Sequence, residues 1–181
     1  EKFGYEHIGY AMATILPNDG FKGIINEVNE KNIPLKVHFS LHAANTKKRK
    51  DLIPNSKNSV KECMNMLKEY ETITRTNKKI QTEFIQCHQS TDMVEIHYSL
   101  IENFNDNNND FIELTNLLNE YHFTIKLIKL NPTETMKISQ RMDAWSNMLR
   151  RFSSVRIKQD NNSHLVQSYY GEFSSLYNET A

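Results

Sequence analysis

Apolar residues along this chain follow two periods in turn, one typical of strands and the other typical of helices. Residues 5–14 and 35–41 are short runs that favour strands. Between them, apolar residues recur at helical spacing, so a helix is predicted that Asn18 or Asp19 caps and that residues 32–34 end. A strand, a helix and a strand in close succession indicate parallel pairing through a right-handed crossover.

The same alternation continues along the chain. Further strands are predicted at residues 80–87, 93–101, 124–130 and 155–158. Helices are predicted at 46–52, after a cap within 56–59, after the Asn/Asp-rich turn at 103–110, and after a cap at Ser139. With no repeat of fixed period and no internal linker, the pattern predicts one α/β domain over residues 1–181, its sheet open or rolled into part of a barrel.

Composition narrows the class of protein only a little. Hydrophobic residues make up 38% and charged residues 24% of the chain, and the formal net charge is zero. A neutral chain has no global attraction to nucleic acid, although a local patch could still bind RNA. We find no apolar stretch long enough to span a membrane and no signal peptide, so a cytoplasmic location is expected. Cys63 and Cys87 lie too far apart in sequence to form a metal-binding motif and are expected to be reduced thiols.

The segment 37–45 carries the most chemical information. A predicted strand ends there in Ser40-Leu41-His42, followed by small residues and Asn45. The carboxyl ends of parallel strands are where α/β proteins place ligand contacts. Strand alternation puts His38, Ser40 and His42 on one face, which is either a ligand-facing row or a solvated face. A metal site formed by His38 and His42 is a weaker hypothesis, because no carboxylate or cysteine lies nearby in the sequence to complete it.

Four motifs in a fixed order resemble one enzyme family. The chain resembles the radical S-adenosylmethionine (SAM) enzymes that methylate an adenine of large-subunit ribosomal RNA or of transfer RNA. The resemblance covers about residues 5–173 and rests on the order and spacing of short motifs, each weak by itself. These motifs are Ser40-Leu41-His42-Ala43, Leu52-Ile53-Pro54, Glu95-Ile96-His97-Tyr98 running into Asn105-Asp106, and Leu127-Ile128-Lys129-Leu130-Asn131-Pro132.

The resemblance implies a fold and a site. The fold is a partial (β/α) TIM-like barrel, of which this chain would form the C-terminal two-thirds. In the family, a 4Fe-4S cluster cleaves SAM to a 5′-deoxyadenosyl radical, and a methylated cysteine near the C-terminus passes the methyl group to the base. Carried over by position, Ser40, Leu41, His42 and Asn131 would line the SAM pocket. Asn131 also has a simpler interpretation, since an Asn-Pro pair can merely end a strand.

The chain departs from the family pattern at several points. The cysteine run that binds the cluster, and the Gly-Glu-Pro segment after it, would lie upstream of Glu1. Ala11 stands where the family has a serine, and Tyr169-Tyr170-Gly171 aligns with the family's Ala-Cys-Gly. A phenol cannot replace a thiolate as the methyl carrier, because tyrosine ionises only near pH ~10. Residues 72–91 have no clear counterpart.

Three functional hypotheses follow. In the first, the chain is part of a radical SAM RNA methyltransferase and contributes SAM contacts. It would be inactive alone, and the 4Fe-4S cluster would be present only if an upstream segment supplied the cysteines. Ribosomal or transfer RNA would then be the partner of the intact protein. The alternative is a non-catalytic homologue acting as a binding or regulatory domain, and a third hypothesis is an ordinary (β/α) enzyme with another ligand. The basic run 47–50 is interpreted as a solvated helix face or a phosphate contact.

Overall fold

A computed structural model describes residues 7–151 and 157–159. Strands and helices alternate along most of this part of the chain. In chain order the elements are β1 (Tyr10–Thr14), α1 (Phe21–Lys31), β2 (Leu35–Ser40), α2 (Thr46–Leu52), α3 (Val60–Thr76), α4 (Lys78–His88), β3 (Val94–Ser99), α5 (Asn108–Tyr121), β4 (Thr124–Ile128), α6 (Met142–Leu149) and β5 (Ile157–Gln159).

The five strands form one parallel sheet in the order β1-β2-β3-β4-β5. The order of the strands in the sheet is therefore their order in the sequence. With that order, right-handed crossovers put every connecting helix on the same face of the sheet. A doubly wound sheet instead reverses its strand order and carries helices on both faces. The sequential order is that of a barrel wall, so the predicted α/β partial barrel is confirmed.

The two faces of the sheet differ in chemistry. On one face, alternate strand residues join the helices in a single hydrophobic core, whose strand members include Val37, Phe39, Ile96, Tyr98, Ile125 and Leu127. On the other face the register brings polar side chains side by side, with His38 opposite Glu95, Ser40 opposite His97, and His97 opposite Lys126. We call this second surface the polar face. It corresponds to the interior of a closed barrel.

One predicted strand is wrong. Residues 80–87 lie within helix α4, so the connection from β2 to β3 contains three helices. The side chain of Asn77 accepts hydrogen bonds from the backbone N–H groups of Lys79 and Ile80 and so starts the helix. Ile80 and Phe84, four residues apart, are both fully buried, which is a helical period rather than strand alternation. This helix occupies most of the stretch for which the family offered no counterpart.

The predicted helix starts are partly confirmed. Ser59 forms a capping box with Glu62 at the start of α3, within the predicted region. Ser139 does not cap α6, which follows Arg141 with no side-chain cap; its hydroxyl instead bonds to Asp106. Asn18 accepts from the N–H of Gly20 but does not cap α1. Among the described helices, none has the length and apolar character needed to cross a membrane.

Candidate ligand site at the carboxyl edge of the sheet

The predicted site residues lie at the carboxyl edge of the parallel sheet. Ser40 is the last residue of β2, and Leu41 and His42 follow it directly. Asn131 comes three residues after the end of β4, and β3 runs between β2 and β4. With neighbouring strands spaced at about 4.8 Å, β2 and β4 are roughly 10 Å apart. The edge therefore presents two separated groups of predicted contacts, with the end of β3 between them.

Ser40 lies on the polar face, where it is half-buried and stands opposite His97. Its backbone carbonyl accepts a hydrogen bond from Arg49 Nη2 at 3.1 Å. Leu41 differs, since its side chain is completely buried in the core. The backbone N–H of Leu41 already donates to the carbonyl of His97 at 3.0 Å, so only its carbonyl oxygen could contact a ligand.

His42 turns the chain at the end of β2. Its φ of 54° is left-handed, so its side chain leaves the alternation that predicted it beside His38. Ring Nδ1 accepts a hydrogen bond of 3.0 Å from the backbone N–H of Ser99, at the end of β3. Burial, and then the neighbouring His97 and Arg49, lower the pKa of His42 to about 4. The imidazole is therefore neutral at physiological pH and ties the ends of two strands together.

Asn131 is exposed, in the loop after β4. The structure thus brings Ser40 and His42 together on one turn and leaves Asn131 on a separate loop of the same edge. Their roles as SAM contacts stay predictions. The Tyr169-Tyr170-Gly171 segment lies outside the described residues.

Asn105 is a central residue of this edge that the sequence did not single out as a site residue. It is fully buried. Its Nδ2 donates to the carbonyls of His42 at 2.5 Å and Ser99 at 2.8 Å, and its Oδ1 accepts from the N–H of Ile101 at 2.6 Å. One side chain therefore holds the Ser-Leu-His turn against the end of β3. The Asn/Asp-rich turn is the available signal in the sequence, where it predicts a helix cap and contributes Asn105-Asp106 to a family motif, but neither interpretation indicates this bracing role.

The basic run 47–50 is not simply a solvated helix face. Arg49 is 1% exposed, and its guanidinium donates to the carbonyls of Ile15 and Ser40, at the ends of β1 and β2. Lys48 forms an ion pair of 2.6 Å with the buried Asp110. Two of the four basic side chains thus support the carboxyl edge, so that prediction is wrong for them. Lys47 and Lys50 are exposed, and Lys47 forms an ion pair of 3.1 Å with Asp51 on the same helix.

The two cysteines do not fit an iron–sulfur cluster. Cysteine thiolates, typically four, hold a 4Fe-4S cluster, and this chain contains two cysteines. Cys63 is fully buried on α3, where its thiol contacts the carbonyl of Leu16. Cys87 lies on α4. Both are on helices, whereas the candidate site is made by strand ends and the loops that follow them.

Comparisons with known proteins agree with this architecture. The chain is 31% identical over 129 residues to a probable dual-specificity RNA methyltransferase RlmN from Pseudothermotoga lettingae, covering 71% of this chain and 33% of that protein. A protein of the same name from Thermosipho melanesiensis is 32% identical over 127 residues, covering 70% and 32% respectively. No family model matches the chain.

A solved structure extends the likeness to three dimensions. A radical SAM methyltransferase from Sphaerobacter thermophilus superposes with a TM-score of 0.61 at 23% identity, over 84% of this chain and 41% of the other. In sequence, about 70% of the chain is similar to RlmN RNA methyltransferases, and in fold the chain is similar to a radical SAM methyltransferase. It spans about a third of the length of the curated relatives it matches.

Proposed function

We propose that the carboxyl edge of this sheet binds SAM and forms part of a radical SAM RNA methyltransferase. The observation that carries the proposal is the position of Ser40-Leu41-His42, at the end of β2 in a sequential parallel sheet, in a chain whose relatives are RlmN methyltransferases. Directed hydrogen bonds from a hydroxyl, a carboxamide and backbone groups suit the ribose and the methionine carboxylate of SAM.

The residues of this chain would bind and orient SAM rather than cleave it. Ser40 would offer its hydroxyl from the polar face, and Asn131 its amide from the loop after β4. Asn105 and Arg49 would position the Ser-Leu-His turn, since both already hydrogen-bond to its backbone. A 4Fe-4S cluster, when bound, supplies the electron that cleaves SAM, and its cysteine ligands would come from a segment outside this sequence.

Ribosomal or transfer RNA is the proposed partner, and a cytoplasmic location follows from such a substrate. The exposed Lys47 and Lys50 lie on α2, directly after the Ser-Leu-His turn. Exposed lysines near the ligand edge can contact phosphate, although such contacts weaken steeply with salt. They would position an RNA without reading its sequence.

Equilibrium dialysis with labelled SAM tests the binding proposal on the chain itself. Ser40→Ala and Asn131→Ala should each weaken binding about tenfold, because a lost hydrogen bond to a bound ligand costs roughly 1.4 kcal/mol. Thr72→Ala removes a hydroxyl from the exposed side of α3 and serves as the matched control. Absence of SAM binding, or equal weakening by all three variants, would contradict the proposal.

The catalytic part needs a longer form that carries a cluster-binding cysteine run. Such a form, reconstituted with iron and sulfide under anaerobic conditions, should cleave SAM to 5′-deoxyadenosine. If a fully loaded protein produced none, the enzyme hypothesis would be wrong while SAM binding could still hold.

A non-catalytic binding domain is the second hypothesis. It is favoured by Ala11 in place of the family's serine, by Tyr170 at the position that aligns with the family's methyl-carrying cysteine, and by the neutral net charge. This hypothesis predicts SAM or RNA binding without cleavage. The third, an ordinary (β/α) enzyme, predicts a different ligand at Ser40, His42 and Asn131, which calorimetry with candidate ligands would distinguish.

A further inference from the structure

Three side chains on the polar face bring their ligand atoms close together. None of the three belongs to the Ser-Leu-His turn or is Asn131. They are His38 on β2 and Glu95 and His97 on β3. The strand register places His38 opposite Glu95, and His97 lies one pleat further along the same face. Two rigid neighbouring strands therefore fix all three positions, which is a firmer support than loops would give.

The distances among the three fit a metal ion. His38 Nδ1 and His97 Nε2 are 3.0 Å apart, His97 Nε2 and Glu95 Oε1 are 3.0 Å apart, and His38 Nδ1 and Glu95 Oε1 are 3.8 Å apart. Ligands at bond lengths of about 2.0–2.1 Å around a tetrahedral ion are separated by roughly 3.3–3.4 Å. The two imidazole rings stand at 87° to each other, so their nitrogens approach the shared point from different directions.

Hydrogen bonds among the three side chains cannot pair all of their facing atoms. A neutral imidazole nitrogen either donates or accepts, and a carboxylate oxygen only accepts. His97 Nε2 lies 3.0 Å from two partners and carries at most one hydrogen, so it can donate fully to only one of them. If it donates to Glu95, it has no lone pair left for His38. A cation at the centre would engage a lone pair from all three atoms at once.

Burial and charge leave the site accessible from one side. The side chains of Glu95 and His97 are 3% and 9% exposed, whereas that of His38 is 24% exposed. Lys36 approaches Oε2 of Glu95 at 3.7 Å, whereas Oε1 faces the two histidines. Lys36 and Lys126 lie on the same face and oppose additional positive charge.

We propose that His38, Glu95 and His97 bind a divalent transition-metal ion, with Zn²⁺ the best match. Two imidazoles and one carboxylate are a ligand set that Zn²⁺ accepts, with a fourth position open to water or a ligand. The set contains no thiolate, which distinguishes it from an iron–sulfur site. This inference does not depend on SAM binding. The sequence suggested His38 and His42 as a weak metal pair, but the His42 ring is directed to Ser99 instead.

Metal titration of the chelator-treated chain tests the proposal. Co²⁺ should bind with a stoichiometry of one and give the visible absorption bands of a four-coordinate ion, and Zn²⁺ should displace it. His97→Gln and His38→Ala should each weaken Zn²⁺ binding more than tenfold. His122→Asn is the control, because it removes an imidazole at a left-handed helix end that asparagine tolerates.

Thermal unfolding guards against variants that simply fail to fold. Because His38 is the most exposed of the three ligands, His38→Ala should fold, and its circular dichroism checks this. Excess Zn²⁺ should raise the unfolding temperature of the natural chain and of His122→Asn, but not that of His38→Ala. Equal Zn²⁺ stabilisation of the natural chain and a folded His38→Ala would overturn the proposal, as would the absence of any stoichiometric Co²⁺ binding.

Discussion

Replacing Asn105 with alanine is the sharpest test of how the carboxyl edge is held together. The natural side chain makes three short hydrogen bonds to the backbone of His42, Ser99 and Ile101. It is fully buried, so water cannot replace these bonds without opening the turn. Alanine would therefore leave two carbonyl oxygens and one N–H group without a side-chain partner in the interior.

The expected loss can be worked out from these contacts. Leaving one buried polar group unsatisfied costs about 1–3 kcal/mol, and partial relaxation of the turn reduces the sum over three groups. We therefore expect Asn105→Ala to lower the free energy of unfolding by about 3–5 kcal/mol. The same change should weaken SAM binding, since it releases the Ser-Leu-His turn from the end of β3.

Urea unfolding followed by the fluorescence of Trp145 measures this loss. Trp145 is the single tryptophan and is 1% exposed, so its emission should report the loss of the core. Asn109→Ala, at an exposed position in the first turn of α5, is the matched control and should change stability by about 0.5 kcal/mol or less. A loss below about 1 kcal/mol for Asn105→Ala would refute the bracing role.

Three further predictions concern neighbouring features. Arg49→Met should cost about 2–4 kcal/mol of stability in urea because it leaves buried carbonyls unpaired, whereas the exposed Lys50→Met should be nearly neutral. Because the folded state lowers the pKa of His42 to about 4, the stability that neutral His42 contributes is fully present above its unfolded pKa of about 6.5 and is lost as pH falls toward 4. The total loss is about 3 kcal/mol. Urea unfolding at several pH values should show this loss in the natural chain and not in His42→Asn. Phe84→Ala should lower the free energy of unfolding by about 3–5 kcal/mol because Phe84 is buried, and Ile85→Ala by under about 1 kcal/mol because Ile85 is exposed. Equal losses in urea unfolding would contradict the helical assignment of α4.

Strand alternation and turn residues predicted much of the fold. The β2 strand, its Ser-Leu-His end and the apolar β4 strand followed from local pattern alone. A strand is the wrong prediction for residues 80–87 because the apolar residues of so short a run fit either period. The decisive signal was the Asn77 cap together with the four-residue spacing of Ile80 and Phe84.

The site was harder to predict because its supports are distant in sequence. The basic run around Arg49 predicts a solvated helix face or a phosphate contact, and nothing local shows that the Arg49 guanidinium reaches the carbonyls of Ile15 and Ser40. His38 and His97 are 59 positions apart, and only the pairing of β2 with β3 brings them together. Strand register is a tertiary property, so side-chain spacing could not supply it.

Mapping SAM onto the chain by backbone amide chemical shifts tests the central claim most directly, because it detects weak binding and locates it. We predict that millimolar SAM shifts the amides of residues 40–42, 99–105 and 131, at the carboxyl edge of the sheet. Shifts confined to the helices or to the amino ends of the strands, or no shifts at all, would contradict a SAM site at this edge.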